Sequence, residues 1–506
     1  MKSFRLHSIC APTLALIAAS VLTVCPADQP QWGAAWSRNM ISSERGLPDS
    51  FDPASGKNIK WSVPLGSETH STPVVAHGRI YIGTNNSEPR DPKHHGDRGV
   101  LMCLNERDGA LIWQLVVPKR EDDPYYDWPN SGISSPATIE GDRVYIVDNR
   151  GEALCLDARG MRDGNAGPYL QEGAHMALRG EPPMPLGSND ADIVWLFDLV
   201  AGAGIWSHDA AHSSILIHGP HLYLNSGTGV DNTHKKIRTP DAPSLVVLDK
   251  NTGRLLARDQ ERIAPNIFHS TWSAPSFGMV NGKPLVFFGG GNGILYAFET
   301  IPTNTTPSAP AALKKVWQFD FDPSGPKENV HRYNSNRREG PSNFYGMPVF
   351  YKNRVYIAGG GDLFWGKTQA WLKCIDAAKT GDITTTGELW SCPLVRHTVS
   401  TPAIVDGLLF IADCGRTVHC LDPETGRVFW SHETQGEIWA SPLVADGKVY
   451  LGTRRGDFWI FSAAKEKQIL CTTKFDHPIS ATATAANGVV YIATMDRLYA
   501  IANSKQ

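Results

Sequence analysis

An eleven-residue segment, Cys420-Leu-Asp422-Pro-Glu-Thr425-Gly426-Arg-Val-Phe-Trp430, recurs in degraded form along the chain and constrains the fold more than any other feature. Its clearest second copy is Cys103-Leu-Asn105-Glu-Arg-Asp108-Gly109-Ala-Leu-Ile-Trp113. Each copy follows an apolar alternating run such as Ile80-Tyr81-Ile82-Gly83 or Val449-Tyr450-Leu451-Gly452. That run in turn follows a Ser/Thr-Pro step: Thr72-Pro73, Ser135-Pro136, Thr401-Pro402 or Ser441-Pro442. Anchoring on the aromatic of the alternating run gives Tyr81, Tyr145, Tyr223, Phe287, Tyr356, Phe410, Tyr450 and Tyr491. The last three stand about 40 residues apart, the period of a four-stranded propeller blade, and wider early intervals are insertions into the same unit. Period-2 alternation punctuated by Asp-Gly, Asn-Gly and Thr-Gly reads as strand rather than helix. The expected fold class is all-β: an eight-bladed beta-propeller of four-stranded blades, strands a to d running from the Ser/Thr-Pro step to the Trp.

The eighth blade lacks an outer strand, since only a short polar tail follows Leu498-Tyr-Ala-Ile501. An orphan strand at 58–65, Asn58-Ile-Lys-Trp61-Ser-Val-Pro-Leu65, precedes the first blade. Pairing it with the C-terminal blade would close the ring and cover an exposed sheet edge. A length of 506 residues alone suggests several domains, but the repeat overrides that prior. The expected organisation is an export signal at 1–27, an N-terminal extension at 28–57 and one propeller at 58–506.

Lys2, Arg5 and His7 precede an apolar stretch from Ile9 to Val24, the pattern of an export signal with cleavage after Ala27. Leu22-Thr-Val24-Cys25 resembles a lipoprotein cleavage box except at Val24, so lipidation of Cys25 is not the expectation. The chain is therefore placed in the periplasm or outside the cell. No later apolar run is long enough to span a bilayer as a helix. A net charge of −3 without a long basic run argues against a nucleic-acid footprint. Nine cysteines in an exported chain invite a disulfide framework. Against that, Cys103, Cys155, Cys374 and Cys420 occupy one repeat position where other blades carry Val247, Ala297, Ile460 and Ala500, so a small buried thiol is expected there. Cys392, Cys414 and Cys471 show no metal-ligand spacing.

The eleven-residue repeat resembles the tryptophan-docking motif of the quinoprotein beta-propellers, with Cys420, Asp422, Thr425, Gly426 and Trp430 in its frame and Cys replacing the family's Ala. The resemblance implies that Trp61, Trp113, Trp317, Trp390 and Trp430 wedge between neighbouring blades as structural residues. Trp195 is read as another, while Ala257 and Leu470 stand in for it in two blades. Gln31-Trp32-Gly33 and Gly46-Leu47-Pro48 ahead of Trp61 look like the opening of exported quinoprotein-like repeat proteins. A smaller relative by resemblance is the propeller lipoprotein of the outer-membrane protein assembly machine, a non-catalytic scaffold. Quinoprotein dehydrogenases hold pyrroloquinoline quinone and a calcium ion, with an adjacent Cys-Cys pair; this chain has no Cys-Cys, and neither quinone nor calcium is expected. Asp122-Asp123 and the Asp190/Asp192 pair lack calcium-loop spacing. No phosphate loop, zinc motif or nucleophile elbow is present, so no catalytic residue is assigned.

In a propeller the b–c and d–a connections share one face. The long insertions fall there: 85–99, 226–244 and 359–370 between b and c, and 118–133, 201–211, 262–271 and 323–344 between d and a. The residue three before the strand-a Pro is expected at the channel mouth, which reads blade by blade His70, Ile133, His212, Trp272, Tyr345, Val399, Trp439 and Ser480, with His208, His269 and His397 nearby. Those aromatic and imidazole groups are the ligand-binding candidates; a weaker metal set is His208, His212 and His269. The function expected is a non-catalytic binding or scaffold propeller, a monomer presenting this face to a protein or carbohydrate ligand. The alternatives are a quinone-dependent oxidoreductase and a metal site at the His-rich mouth.

Overall fold

The computed structural model describes Met1 and residues 27–120, Tyr126, 128–208, 213–305 and 307–503. Most of the expected export signal, Cys25 included, and His212 lie outside the described residues. Eight sheets follow one another around a ring, and all eight aromatic anchors fall in their second strands. The sixth blade is typical: strands at Ala403–Val405, Leu408–Asp413, Thr417–Leu421 and Val428–Glu433, joined antiparallel.

The docking repeat has a geometric cause. Cys420 faces Trp430 across strands c and d, as Cys103 faces Trp113 and Ala297 faces Trp317. A small residue on strand c leaves room for the indole, which turns toward the next blade. Each indole N–H then donates to a carbonyl there: Trp113 to Ala158 at 2.9 Å, Trp317 to Ala377 at 3.1 Å, Trp390 to Pro423 at 3.0 Å. Trp61 reaches Glu106 at 3.2 Å and Trp430 reaches Ala464 at 2.9 Å. The glycine of the Thr-Gly turn is the floor on which the preceding blade's indole lies. At Gly426 φ is +71°, and an added Cβ would sit 2.6 Å from Trp390. Thus one residue supplies both the left-handed turn and the inter-blade contact. A β-bulge recurs beside the Trp position in every blade, including the third and seventh, where Ala257 and Cys471 stand there. In the seventh blade Ile460 faces Cys471, so Cys471 rather than Leu470 occupies the Trp position, because the turn between strands c and d is one residue longer there than in the sixth blade.

The Ser/Thr-Pro step links blades on the channel side. Met347 N–H donates to Thr401 Oγ1 at 2.9 Å, Thr401 N–H to Ser441 Oγ at 2.9 Å, and Ser441 N–H to Thr482 Oγ1 at 3.1 Å. Thr482 N–H continues to Thr72 Oγ1 at 3.3 Å, joining the last blade to the first. On the outside, Ile59–Pro64 pairs antiparallel with Arg497–Ile501, placing Trp61 opposite Ala500. The orphan strand is thus two residues shorter than the 58–65 of the sequence pattern.

The segment before it traces the innermost strand of every blade. Gln29 exchanges both backbone bonds with Val75, Pro30 accepts from Ile139, Trp36 from Phe277 and Ser37 from Phe350. Asn39 caps Ile404 through both side-chain atoms, each at 2.7 Å, and Ile41–Ser42 pairs with Val444–Ala445. Ser42 donates to Ala485 O at 3.0 Å. Arg38, fully buried, meets the third blade through Ser214 O at 3.0 Å and Ser214 Oγ at 3.1 Å, and the fourth through Pro275 O at 3.0 Å. Burial without a carboxylate partner pushes its pKa down to about 9, still cationic at neutral pH. Asp28, Glu44 and Leu47 bond the a–b turns at His77, Gly488 and Asp446, so this arc lies on the face opposite the long loops.

Candidate functional site

The loop face holds a cavity of about 760 Å³, within the range of small-ligand sites. Apart from Trp32, every wall residue comes from a b–c or d–a connection or the entry to a strand a. Trp32, from the N-terminal arc on the opposite face, also lines this funnel. Six positions of the strand-a offset, His70, Trp272, Tyr345, Val399, Trp439 and Ser480, line it together with His269. Aromatic rings are layered there: Trp272 against Tyr345 at 4.3 Å between centroids, and His70 stacked on Trp439 at 6.0 Å. Three guanidinium groups, Arg337, Arg396 and Arg454, also line the cavity; that of Arg454 lies 4.4 Å from the Trp439 centroid. Trp128 and Phe364 line it as well, each 51% exposed. The sequence pattern singles out neither Arg454, Arg396 nor Phe364.

One wall carries a polar cluster. His208 Nε2 and His269 Nε2 are 3.0 Å apart, and the ring of His234 lies 4.8 Å from that of His208 and 5.2 Å from that of His269. The other nitrogen of His269, Nδ1, lies 3.0 Å from Asp362 Oδ2. Asp362 is wholly buried and also accepts from the Tyr345 hydroxyl, from Asn343 at 3.2 Å and from the Phe364 and Trp365 backbone N–H groups at 2.8 and 2.9 Å. Burial alone would raise its pKa; the His269 imidazole and these donors outweigh burial and hold the carboxyl well below its usual range. With Asp362 ionised, His269 donates from Nδ1 and leaves its Nε2 lone pair outward. Three connections supply the histidines and a fourth supplies Asp362, so no local spacing announces the group.

His397 does not line the funnel. It is buried behind the wall beside Cys414 and Glu437, one ligand atom of each lying within 4.8 Å of the others. Neither ring nitrogen has a hydrogen-bond partner among the described residues. Sequence spacing gave no sign of this grouping, because Cys414 and Glu437 sit on successive loops. Burial pushes the His397 pKa down to about 4, with Arg396 adding to it. The unfolded chain takes up this proton near pH 6.5 and the folded one only near pH 4. Stability is therefore expected to fall as pH drops through that window, by about 3 kcal/mol from this group. Urea midpoints at pH 6.5 and 4.5 check it: His397→Gln should flatten the decline, and an unaltered slope refutes the assignment.

The loop ahead of Trp128 divides its residues. Tyr126 is buried edge-on against Trp206 at 5.2 Å, and Arg120 pairs with Asp198 at 2.8 Å. Among the described residues from Lys119 to Trp128, Trp128 is the one that lines the funnel. Asp122-Asp123 lie outside the described residues. Asp190 pairs with Lys93 at 2.7 Å and Asp192 is buried, so this pair is structural. The seven described cysteines are free thiols.

With this geometry in hand, the chain can be set beside known proteins. The family model of outer membrane protein assembly factor BamB matches residues 37–159 and 370–469. The fold is similar to that of quinohemoprotein alcohol dehydrogenase from Comamonas testosteroni: TM-score 0.60, 12% identity, covering 95% of this chain and 81% of that one. The chain shares the beta-propeller fold of these proteins. It is also similar in fold to BamB from Moraxella catarrhalis, at TM-score 0.50 and 13% identity over 87% of this chain and 98% of that one. In sequence, 118 residues are 27% identical to the Comamonas testosteroni quinohemoprotein alcohol dehydrogenase; they make up 21% of this chain and only 16% of that enzyme. The described residues around the funnel do not offer a donor set that fits calcium. Among the described residues lining the funnel the one carboxylate is Glu68, and the oxygens of Asp362 are already taken by protein donors. Calcium needs six to eight oxygen ligands, whereas this wall offers imidazole nitrogen.

Proposed function

We propose that the chain is an exported binding propeller whose loop-face funnel takes an anionic glycan. The observation that carries this reading is the combination of Trp32, Trp272 and Trp439 with Arg337, Arg396 and Arg454 around one cavity of about 760 Å³. Indole faces stack on the apolar faces of sugar rings, and guanidinium groups pair with carboxylate or sulfate in a planar, bidentate way. Export is supported by Lys2 and Arg5 ahead of the apolar stretch from Ile9 to Val24. No helix among the described residues is long and apolar enough to cross a membrane. Fold likeness alone assigns no activity.

A protein-scaffold reading is favoured by a different observation: Trp128 and Phe364 are exposed at the funnel, as aromatic anchors of protein interfaces are. The two separate on a glycan array. Purified protein is expected to retain acidic over neutral oligosaccharides, and Trp439→Ala to weaken retention about 30-fold, the loss of a hot-spot side chain worth about 2 kcal/mol. Equal retention of acidic and neutral sugars, or a Trp439→Ala variant that binds as well as the parent, contradicts the glycan reading. A blank array with Trp128-dependent capture of an envelope protein puts the scaffold reading in its place.

A further inference from the structure

We propose that His208, His234 and His269 form a binding site for one zinc-class divalent transition metal in the funnel wall, with Asp362 as the positioning residue for His269. Their ligand nitrogens all lie within 4.8 Å of one another. Two imidazoles on a tetrahedral ion with Zn–N bonds of about 2.0–2.1 Å have nitrogens about 3.3 Å apart. His208 Nε2 and His269 Nε2, at 3.0 Å, already stand close to that separation, so the pair needs little movement to share an ion. His234, on a separate loop, is half-buried and lines the cavity, and its side chain can close on the pair from the funnel side.

The support behind these ligands is what a bound metal requires. A metal-bound histidine usually donates its second N–H to a carboxylate, which fixes the tautomer and raises the basicity of the ligating nitrogen. Asp362 does this for His269 at 3.0 Å and is itself anchored by Asn343 and two backbone N–H groups. An all-imidazole donor set selects zinc, copper, nickel or iron over calcium and magnesium. Because His234 and His269 both line the cavity, a ligand in the funnel can reach the ion. The buried group of His397, Cys414 and Glu437 has no such opening, as none of the three lines the funnel.

The test uses the metal alone and so stands apart from the glycan reading. Full-length protein freed of metal with a chelator is titrated with Zn²⁺, and in parallel with Co²⁺, whose visible bands report coordination number. One equivalent of either ion is expected to bind, with the intense cobalt bands of a tetrahedral site. His234→Ala should weaken binding at least 100-fold while the metal-free protein melts as the parent does, because this side chain is only half-buried. Asp362→Asn should keep the stoichiometry but weaken binding about 10–100-fold. The proposal is overturned if neither ion binds at micromolar concentration. It is equally overturned if His234→Ala and His269→Ala bind as the parent does, or if the cobalt spectrum is that of six-coordinate ion.

Discussion

Removing residues 27–64 is expected to leave no cooperatively folding ring. Two separate sets of contacts go at once. The first is the strand Ile59–Pro64, whose loss strips the eighth blade of its outer strand and takes Trp61 away from the Glu106 carbonyl of the first blade. The second is the arc from Gln29 to Ser42, whose backbone and side-chain bonds reach the innermost strand of all eight blades. An unpaired edge strand and an uncovered inner rim would then face water, and both promote aggregation. Circular dichroism melts and size-exclusion chromatography check this: the truncated chain should elute as aggregate or melt without a sharp transition. Removing 27–57 alone, which keeps Ile59–Pro64, should give an intermediate result, a closed ring that melts earlier. A truncated protein as heat-resistant as the parent would mean that neither set of contacts holds the ring together.

The second large effect is expected at a single side chain. Trp113→Ala should cost about 3–5 kcal/mol, the range for emptying a fully buried Trp site. Trp113 has no exposed surface, packs 5.9 Å from the Tyr81 ring and donates to Ala158 O at 2.9 Å. Gly160 approaches so closely that a Cβ there would lie 2.8 Å from the indole, so the site cannot collapse without moving the next blade. Trp113→Phe keeps most of the packing and leaves the Ala158 carbonyl without its donor, which should cost about 1–3 kcal/mol. Trp430, 8% exposed, belongs at the lower end of the alanine range. Urea midpoints of the three variants decide it, and a loss below about 1 kcal/mol for Trp113→Ala would show that the indole is not an inter-blade wedge.

The ring was legible in the sequence because its information is local and repeated. An alternating run, a Ser/Thr-Pro step and an Asp-x-x-Gly turn each act over a few residues, and eight copies let degraded ones be aligned. The strand-c thiol position of Cys103 and Cys420 was readable for the same reason. Reading failed where a turn departs from the repeat length: one extra residue between strands c and d of the seventh blade moves the Trp position from Leu470 to Cys471. The N-terminal arc has no repeat, and its partners lie dozens to hundreds of residues away, so no pattern in 28–57 marks it as the lining of the channel. At the mouth, the strand-a offset found His70, Trp272, Tyr345 and Trp439 because a repeated scaffold places equivalent residues equivalently. His234 and Asp362 come from insertions peculiar to one blade, where repeat position says nothing about convergence, and Arg454 sits in the short b–c turn of the seventh blade, away from the strand-a offset. His397 was expected at the mouth but does not line it, because which side of the wall its ring occupies depends on loop packing.

The most direct test of the funnel as the binding surface is hydroxyl-radical footprinting of the wild-type protein with and without the glycan retained on the array. Peptides containing Trp128, Trp272 and Trp439 are expected to lose oxidation when ligand is present. Peptides bearing the exposed side chains of Met279 and Leu389, outside the funnel, should be unchanged. Protection of Met279 or Leu389 with Trp272 and Trp439 oxidised as before would contradict it.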